Sequence, residues 1–377
     1  MTEIMFHIQV NVVLSFLLAL LLGHAYFKMN WHIKTNKLFM WIMFLIFLVL
    51  ILEIMSVVLN NPHFIYLMII QKVVDVAGFL LAPITPFLGY LFCKEWINRY
   101  RQEKIISNKL LVVPAIFNGI LALLSYHWHI LFYITPENIY ERGPLFFILP
   151  SVSYIYFIYT LYFIYRHHTK YTRSEIIIFS AFFIVPAVFT LMQLKYPVYL
   201  TTWSSAALIT VVTYIFILND QVYTDSLTGL GNRLFYEHCA QKIDRTMLSR
   251  LAVIYVDLDN LKLINDQYGH NEGDEAIKAF AGLLVDSFPA RGKRLIRLGG
   301  DEFLIILEER RQAELDFYMK NLIQHIVSHN EKSDKQYKIM FSYGIAKVTD
   351  DCENMQQLLE RADHLMYQQK QQRKLHL

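Results

Sequence analysis

Two regimes of hydrophobic patterning meet near Leu218. Before it, apolar residues run in stretches of about 17–25, the length that crosses a bilayer as a helix. Seven such stretches lie at roughly 5–27, 38–59, 65–93, 110–126, 144–165, 176–194 and 201–218, and they predict an all-α bundle of seven transmembrane helices over residues 1–218. After it the apolar runs shorten and change period. Helices are predicted over 233–247, 271–288, 312–328 and 353–372, and strands over 251–257, 294–298, 302–307 and 339–348. Hairpins mixed with crossover helices make residues 225–377 an α+β domain of about 150 residues, enough for its own core. Residues 219–224 are too few for a flexible tether, so the seventh span is expected to continue through them as a helix.

Composition sharpens the division. The 377 residues are 55% hydrophobic and 18% charged, with mean hydropathy +0.32, too apolar for one soluble domain. Residues 1–218 carry 14 Lys+Arg against 8 Asp+Glu, a balance of +6, and residues 219–377 carry 21 against 24, a balance of −3. The mildly acidic second region gives no reason to expect a nucleic-acid partner. Cys93, Cys239 and Cys352 are isolated; they suggest neither a disulfide framework nor a metal site and fit a reducing compartment for the second region.

Loop charge orients the spans. Connections 28–37, 94–109 and 166–175 hold 3, 5 and 3 Lys+Arg, whereas the N-terminal tail and connections 60–64, 127–143 and 195–200 hold 0, 0, 1 and 1. Positive residues stay on the cytoplasmic side, so the chain is expected in a bacterial-type inner (cell) membrane, with its N-terminus outside and the C-terminal domain in the cytoplasm. Three ionisable residues fall inside spans, where they are costly and often functional: Glu53, Lys72 and Asp75. Two readings are open. Lys72 and Asp75, three apart on one helical face, neutralise each other, or all three line an outward-opening pocket that makes this half a sensor for a small molecule or membrane signal.

The second region carries its chemistry on RLIRLGGDEFLIIL (294–307). Two strands flank a glycine pair suited to a tight turn, and Asp301 and Glu302 follow it. Asp257 ends the strand LAVIYVD. If these strands are neighbours, three carboxylates converge and must titrate upward or hold a cation. Oxygen ligands with open positions favour Mg²⁺ that also touches a phosphate, the arrangement of phosphoryl and nucleotidyl transfer. A solvated acidic hairpin tip has the same spacing.

Five motifs in order narrow the choice: DSLTGLGNR (225–233), VDLDNLKLINDQYGHNEGD (256–274), GGDEF (299–303), SYGIA (342–346) and RADHLMYQQK (361–370). Together they resemble the diguanylate cyclase family, whose name motif is GGDEF; the resemblance covers about 150 residues and leaves the membrane half untouched. It implies a fold like that of nucleotide cyclases and polymerase palm domains, GTP as substrate, two Mg²⁺ per active site with Mn²⁺ as an alternative, and a homodimer in which each subunit holds one GTP. The 3′-hydroxyl of each GTP attacks the α-phosphate of the other, giving cyclic di-GMP and two pyrophosphates.

Carried over by position, the resemblance implies Asp257, the Leu258 carbonyl, Asp301 and Glu302 as metal ligands. Asp301 and Glu302 also become the groups that take the 3′-hydroxyl proton, and Lys262 a catalytic cation. Asn265 and Asp274 correspond to the guanine-reading pair, His270, Gly299 and Gly300 to the substrate pocket, and Lys370 to a phosphate lysine. Two departures stand out. The R-x-x-D product-inhibition site of many members is replaced by Ala290, Arg291, Gly292 and Lys293, so feedback there is expected to be absent or weak. Lys374 stands where an arginine contacts the triphosphate, a point charge in place of a bidentate fork. The intact motif favours an active enzyme; the competing reading is a catalytically silent GGDEF module that binds GTP or a protein partner as a membrane signalling receptor.

Overall fold

The computed structural model describes the chain except residues 1, 32, 99–108, 169–170, 196–200, 289–292, 309–310, 349–351, 353 and 376–377. The described residues divide into two compact units that part between Phe216 and Ile217.

The first unit is helical. It comprises α1 (Thr2–Lys28), α2 (Lys34–Leu59), α3 (Met68–Leu81), α4 (Ile84–Asn98), α5 (Val113–Trp128), α6 (Ile148–Arg166), α7 (Arg173–Lys195) and the larger part of α8 (Thr201–Tyr223). Among the described residues, seven stretches are long and apolar enough to cross a membrane, Pro62–Asn98 being the third. That third stretch is broken, α3 ending at Leu81 and α4 starting at Ile84. Pro83 between them offers no N–H and its ring crowds the carbonyl four residues back. Pro86 falls in the first turn of α4, where a missing N–H costs little, and α7 continues through Pro186.

The connection after α5 holds a feature its sequence did not announce, a hairpin of β1 (Phe132–Ile134) and β2 (Tyr140–Arg142). Leu131, Phe132 and Ile134 are buried with Ala122, against Phe79 and Leu80. Asn138, in the left-handed conformation at φ 59°, donates Nδ2 to the carbonyls of Leu59, Asn61 and Phe64, supplying a partner at the C-terminal end of α2.

In the second unit α8 runs unbroken to Tyr223. The helix expected over 233–247 is two, α9 (Arg233–Gln241) and α10 (Arg245–Leu248). Asp244 accepts from the Met247 amide at 2.7 Å, a cap that starts a new helix rather than extending the old one. An antiparallel sheet follows in the order β4–β5–β3–β6, from β3 (Ala252–Leu258), β4 (Lys293–Gly299), β5 (Glu302–Leu307) and β6 (Phe341–Lys347).

Every residue of β3 is buried, so its apolar run has no alternation to show. Ile254, Val256, Phe303 and Ile305 face α12 (His270–Ser287) and α13 (Gln312–Lys332), packing with Phe280, Leu284, Leu315 and Leu322. Val253, Tyr255, Leu304 and Ile306 pack on the other side with Leu358, Ala362 and Met366 of α14 (Met355–Leu375). A β-carbon at Gly344 would strike the Ala362 carbonyl and the Met366 amide, so α14 lies backbone-close on β6. The remaining helix, α11 (Leu261–Tyr268), was hidden by composition: it buries only Leu261 and Ile264.

Candidate active site

Pairing register assembles the acids. In the β3–β5 ladder Asp257 stands directly opposite Glu302, and opposed residues of an antiparallel pair share a face. The Leu258 amide donates to the Asp301 carbonyl at 3.0 Å, which ties the hairpin turn to the end of β3. Asp257 is buried, and Lys370 of α14 reaches it, Nζ to Oδ1 at 2.5 Å. Burial raises the Asp257 carboxyl above its ordinary range and nearby Asp301 and Asp259 add to the rise, while Lys370 opposes it. The lysine responds in kind: burial would lower it, but Asp257, Asp259 and Asp301 hold its ammonium on to higher pH. Burial raises the Tyr255 phenol, and the nearby Glu302 carboxylate adds to the rise.

This is a strand end with surplus negative charge that already holds one cation, as a metal site requires. Among the described residues no three His, Cys, Asp or Glu side chains meet closely enough to hold a metal by themselves. Two carboxylates and a main-chain carbonyl would leave open positions on a bound cation, the kind of partial oxygen shell that suits Mg²⁺.

A second cluster is set by α11 and α12. The chain turns between them at Gly269, φ 88°, and Gly273 then lies where a β-carbon would collide with Asn265 Oδ1. Glycine at 273 therefore lets the Asn265 amide lie across the first turn of α12, beside Asp274, which is exposed. His270 opens α12 and Lys262 lies in the first turn of α11, both exposed.

The glycine pair separates into two cases. Gly300 has φ 49° and is required by the turn, whereas Gly299 does not. A β-carbon at either would meet nothing within 4 Å, so open space fronts the turn. Lys293 donates Nζ to the carbonyls of Val285 and Phe288 at the end of α12. Ala290, Arg291 and Gly292 lie outside the described residues, as does the side chain of Lys374.

Two groups escaped the sequence reading. Arg297 donates Nε and Nη2 to the Gly300 carbonyl and Nη1 to Asp225 at 3.1 Å, pinning the turn to the DSLTGLGNR segment; an arginine on a strand two residues before a glycine pair was the available signal. Asp259 accepts from Ser342 at 2.9 Å and pairs with Arg373 at 3.5 Å. In the first unit Glu53 and Asp75 line one cavity. Lys72 is not among its lining residues; its Nζ lies 5.8 Å from the Tyr126 ring centroid, and Asp75 is bonded instead to Ser56 at 2.5 Å.

Residues 222–376 match the family model described as "Diguanylate cyclase, GGDEF domain". Diguanylate cyclase DgcP of Escherichia coli is 34% identical over 154 residues, 40% of this chain and 45% of that protein. Diguanylate cyclase DgcS of Shewanella oneidensis is 35% identical over 156 residues, 40% of this chain and 50% of that protein. The chain thus spans half or less of the length of these curated relatives. Among solved structures, the GGDEF domain of TpbB (YfiN) from Pseudomonas aeruginosa is 30% identical, with 40% of this chain and 89% of that one covered and a TM-score of 0.36.

Proposed function

With residues 222–376 a GGDEF domain whose homologues are diguanylate cyclases, we propose that the protein condenses two GTP into cyclic di-GMP and two pyrophosphates under control of its membrane unit. The observation that carries this reading is the facing of Asp257 and Glu302 across the β3–β5 ladder, with Asp301 tied to the end of β3.

Asp257, Asp301 and the Leu258 carbonyl would hold divalent metal, Mg²⁺ by the oxygen character of these ligands. When bound, the metal neutralises triphosphate charge and acidifies the attacking hydroxyl. Asp301, aided by Glu302, receives the proton of the 3′-hydroxyl. Lys370, paired with Asp257, would be the cation for the triphosphate. Lys262 offsets charge growing on the α-phosphate. Asn265 and Asp274 read guanine, an amide and a carboxylate matching its acceptor and donor edge where adenine leaves both unpaired. Gly299 and Gly300 leave the turn open to the nucleotide. Each subunit brings one GTP, so a homodimer completes the reaction. The membrane unit is the sensor, 1–218, joined through 219–224 to the catalytic domain, 225–377, in the cytoplasm.

The test uses the full chain in nanodiscs with GTP and Mg²⁺. Cyclic di-GMP and pyrophosphate are expected, with specific activity rising as dimer forms. Asp301→Ala is expected to cut turnover by at least about 10³-fold with an unchanged melting curve. Turnover surviving that substitution overturns the metal assignment; GTP binding without product in the unaltered chain supports the silent module.

A further inference from the structure

The first unit holds a partly open cavity of about 410 Å³ bordered by α2, α3, α4, α6, α7 and α8, a size that suits a small organic ligand. Its walls are largely apolar, with Val49, Phe79, Phe157, Phe183 and Trp203 among them. Two carboxylates, Glu53 and Asp75, interrupt this surface. Asp75 is only 5% exposed; its Oδ1 accepts from Ser56, and its Oδ2 has no hydrogen-bond partner among the described residues. Thr85, also 5% exposed and lining the cavity, has an unpartnered Oγ1. Buried polar atoms are nearly always paired, so two unpartnered atoms on residues that border one cavity, among the described residues, point to a partner drawn into it. One guanidinium borders the cavity, that of Arg142, and it stacks on Phe146 at 4.5 Å. Acids therefore outnumber bases around the space.

We propose that this cavity binds a small amphipathic cation, an apolar body bearing a primary ammonium. An ammonium carries three N–H donors, and Asp75, Glu53 and Thr85 of the cavity lining offer oxygen acceptors, while the body would lie against the aromatic walls. The site also touches the output helix. Thr202, Trp203 and Ala206 of α8 line it, and Asn11, which donates to Glu53 at 2.7 Å, accepts from Ser204 of α8. Occupancy thus bears on the helix that runs on to Tyr223. That consequence rests on the cyclase reading above; the binding does not.

The experiment is isothermal titration of the full chain in phosphatidylcholine nanodiscs, referenced to empty nanodiscs. The probes are 4-phenylbutylamine, 4-phenylbutanol and 4-phenylbutyrate. Saturable binding of the amine is expected, at least tenfold tighter than the alcohol or the carboxylate. Asp75→Asn is expected to remove at least tenfold of the amine's affinity and leave the alcohol unchanged. Gly78→Leu fills the cavity from a position where a β-carbon meets nothing within 4 Å, and is expected to abolish saturable binding; Asp75→Asn carries the test if that variant does not assemble. Asp301→Ala is expected to bind as the unaltered chain does, which separates this site from catalysis. Equal or tighter binding of the carboxylate overturns the proposal in favour of an anion site at Arg142. Amine binding unchanged in Asp75→Asn, or no saturable binding of any probe, overturns it as well.

Discussion

Arg297 and Asp225 are 72 residues apart in sequence, yet their ion pair holds the GGDEF turn against the segment that leads into the domain. Side-chain exposures of 12% and 21% put the pair above the value of an exposed surface bridge. Asp225→Ala is expected to destabilise the β4–β5 hairpin by about 1.5–3 kcal/mol, read from hydrogen exchange of the β5 amides. Burial alone would raise the Asp225 carboxyl, but hydrogen bonds from Thr228 and the charge of Arg297 outweigh it and hold it below 3.8. A depressed folded pKa contributes stability in full above the unfolded value and loses it as pH falls through the folded one. Hairpin protection should therefore persist down to about pH 4 and decline below it, and the variant should lack that decline. Gly273 makes a separate demand. Gly273→Ala improves helix propensity, yet its β-carbon displaces Asn265. On the cyclase reading the KM for GTP rises by about tenfold, the worth of one hydrogen bond, with kcat changed less; steady-state kinetics decide.

At the scale of elements, legibility followed amphipathic strength. The strands at 251–257, 294–298 and 302–307 were visible because short runs rich in β-branched and aliphatic residues flank an acid or a glycine pair, too short and too apolar for an amphipathic helix. Helix α11 was invisible because a single buried turn, Leu261 and Ile264, leaves too little periodicity to register. The break between α9 and α10 hinges on one capping aspartate, a local competition that a smooth helical pattern conceals. The β1–β2 hairpin escaped because its order comes from partners elsewhere, above all the three carbonyls held by Asn138. The contact of α14 with β6 has the sharpest test. Gly344→Ala is expected to destabilise the second unit by about 1–3 kcal/mol through overpacking, seen as a lower melting temperature by circular dichroism. On the cyclase reading, a larger residue at 344 should also weaken GTP binding, since Lys370 is carried on α14.

At the scale of the whole molecule, alternating loop charge argues for an N-terminus outside and the GGDEF domain within. Single cysteines on a background lacking Cys93, Cys239 and Cys352 test this. Glu137→Cys, exposed beside the β1–β2 turn, should react with an impermeant maleimide added to intact cells. Glu308→Cys, exposed after β5, should react only after permeabilisation. The reverse pattern would overturn the orientation and remove the domain from its nucleotide supply. The sequence by itself determined the seven apolar stretches, the existence and type of most later elements, and the motifs by which residues 222–376 resemble a GGDEF domain. Those depend on hydrophobic length, period and residue type, which are local properties. Only the tertiary structure decided which groups meet: Asp257 facing Glu302, Lys370 arriving from the last helix, Asn265 resting against Gly273, and Glu53 sharing a cavity with Asp75 while Lys72 lies elsewhere. Those meetings depend on strand register and helix packing between distant segments, and no periodicity along the chain encodes the distance between two side chains.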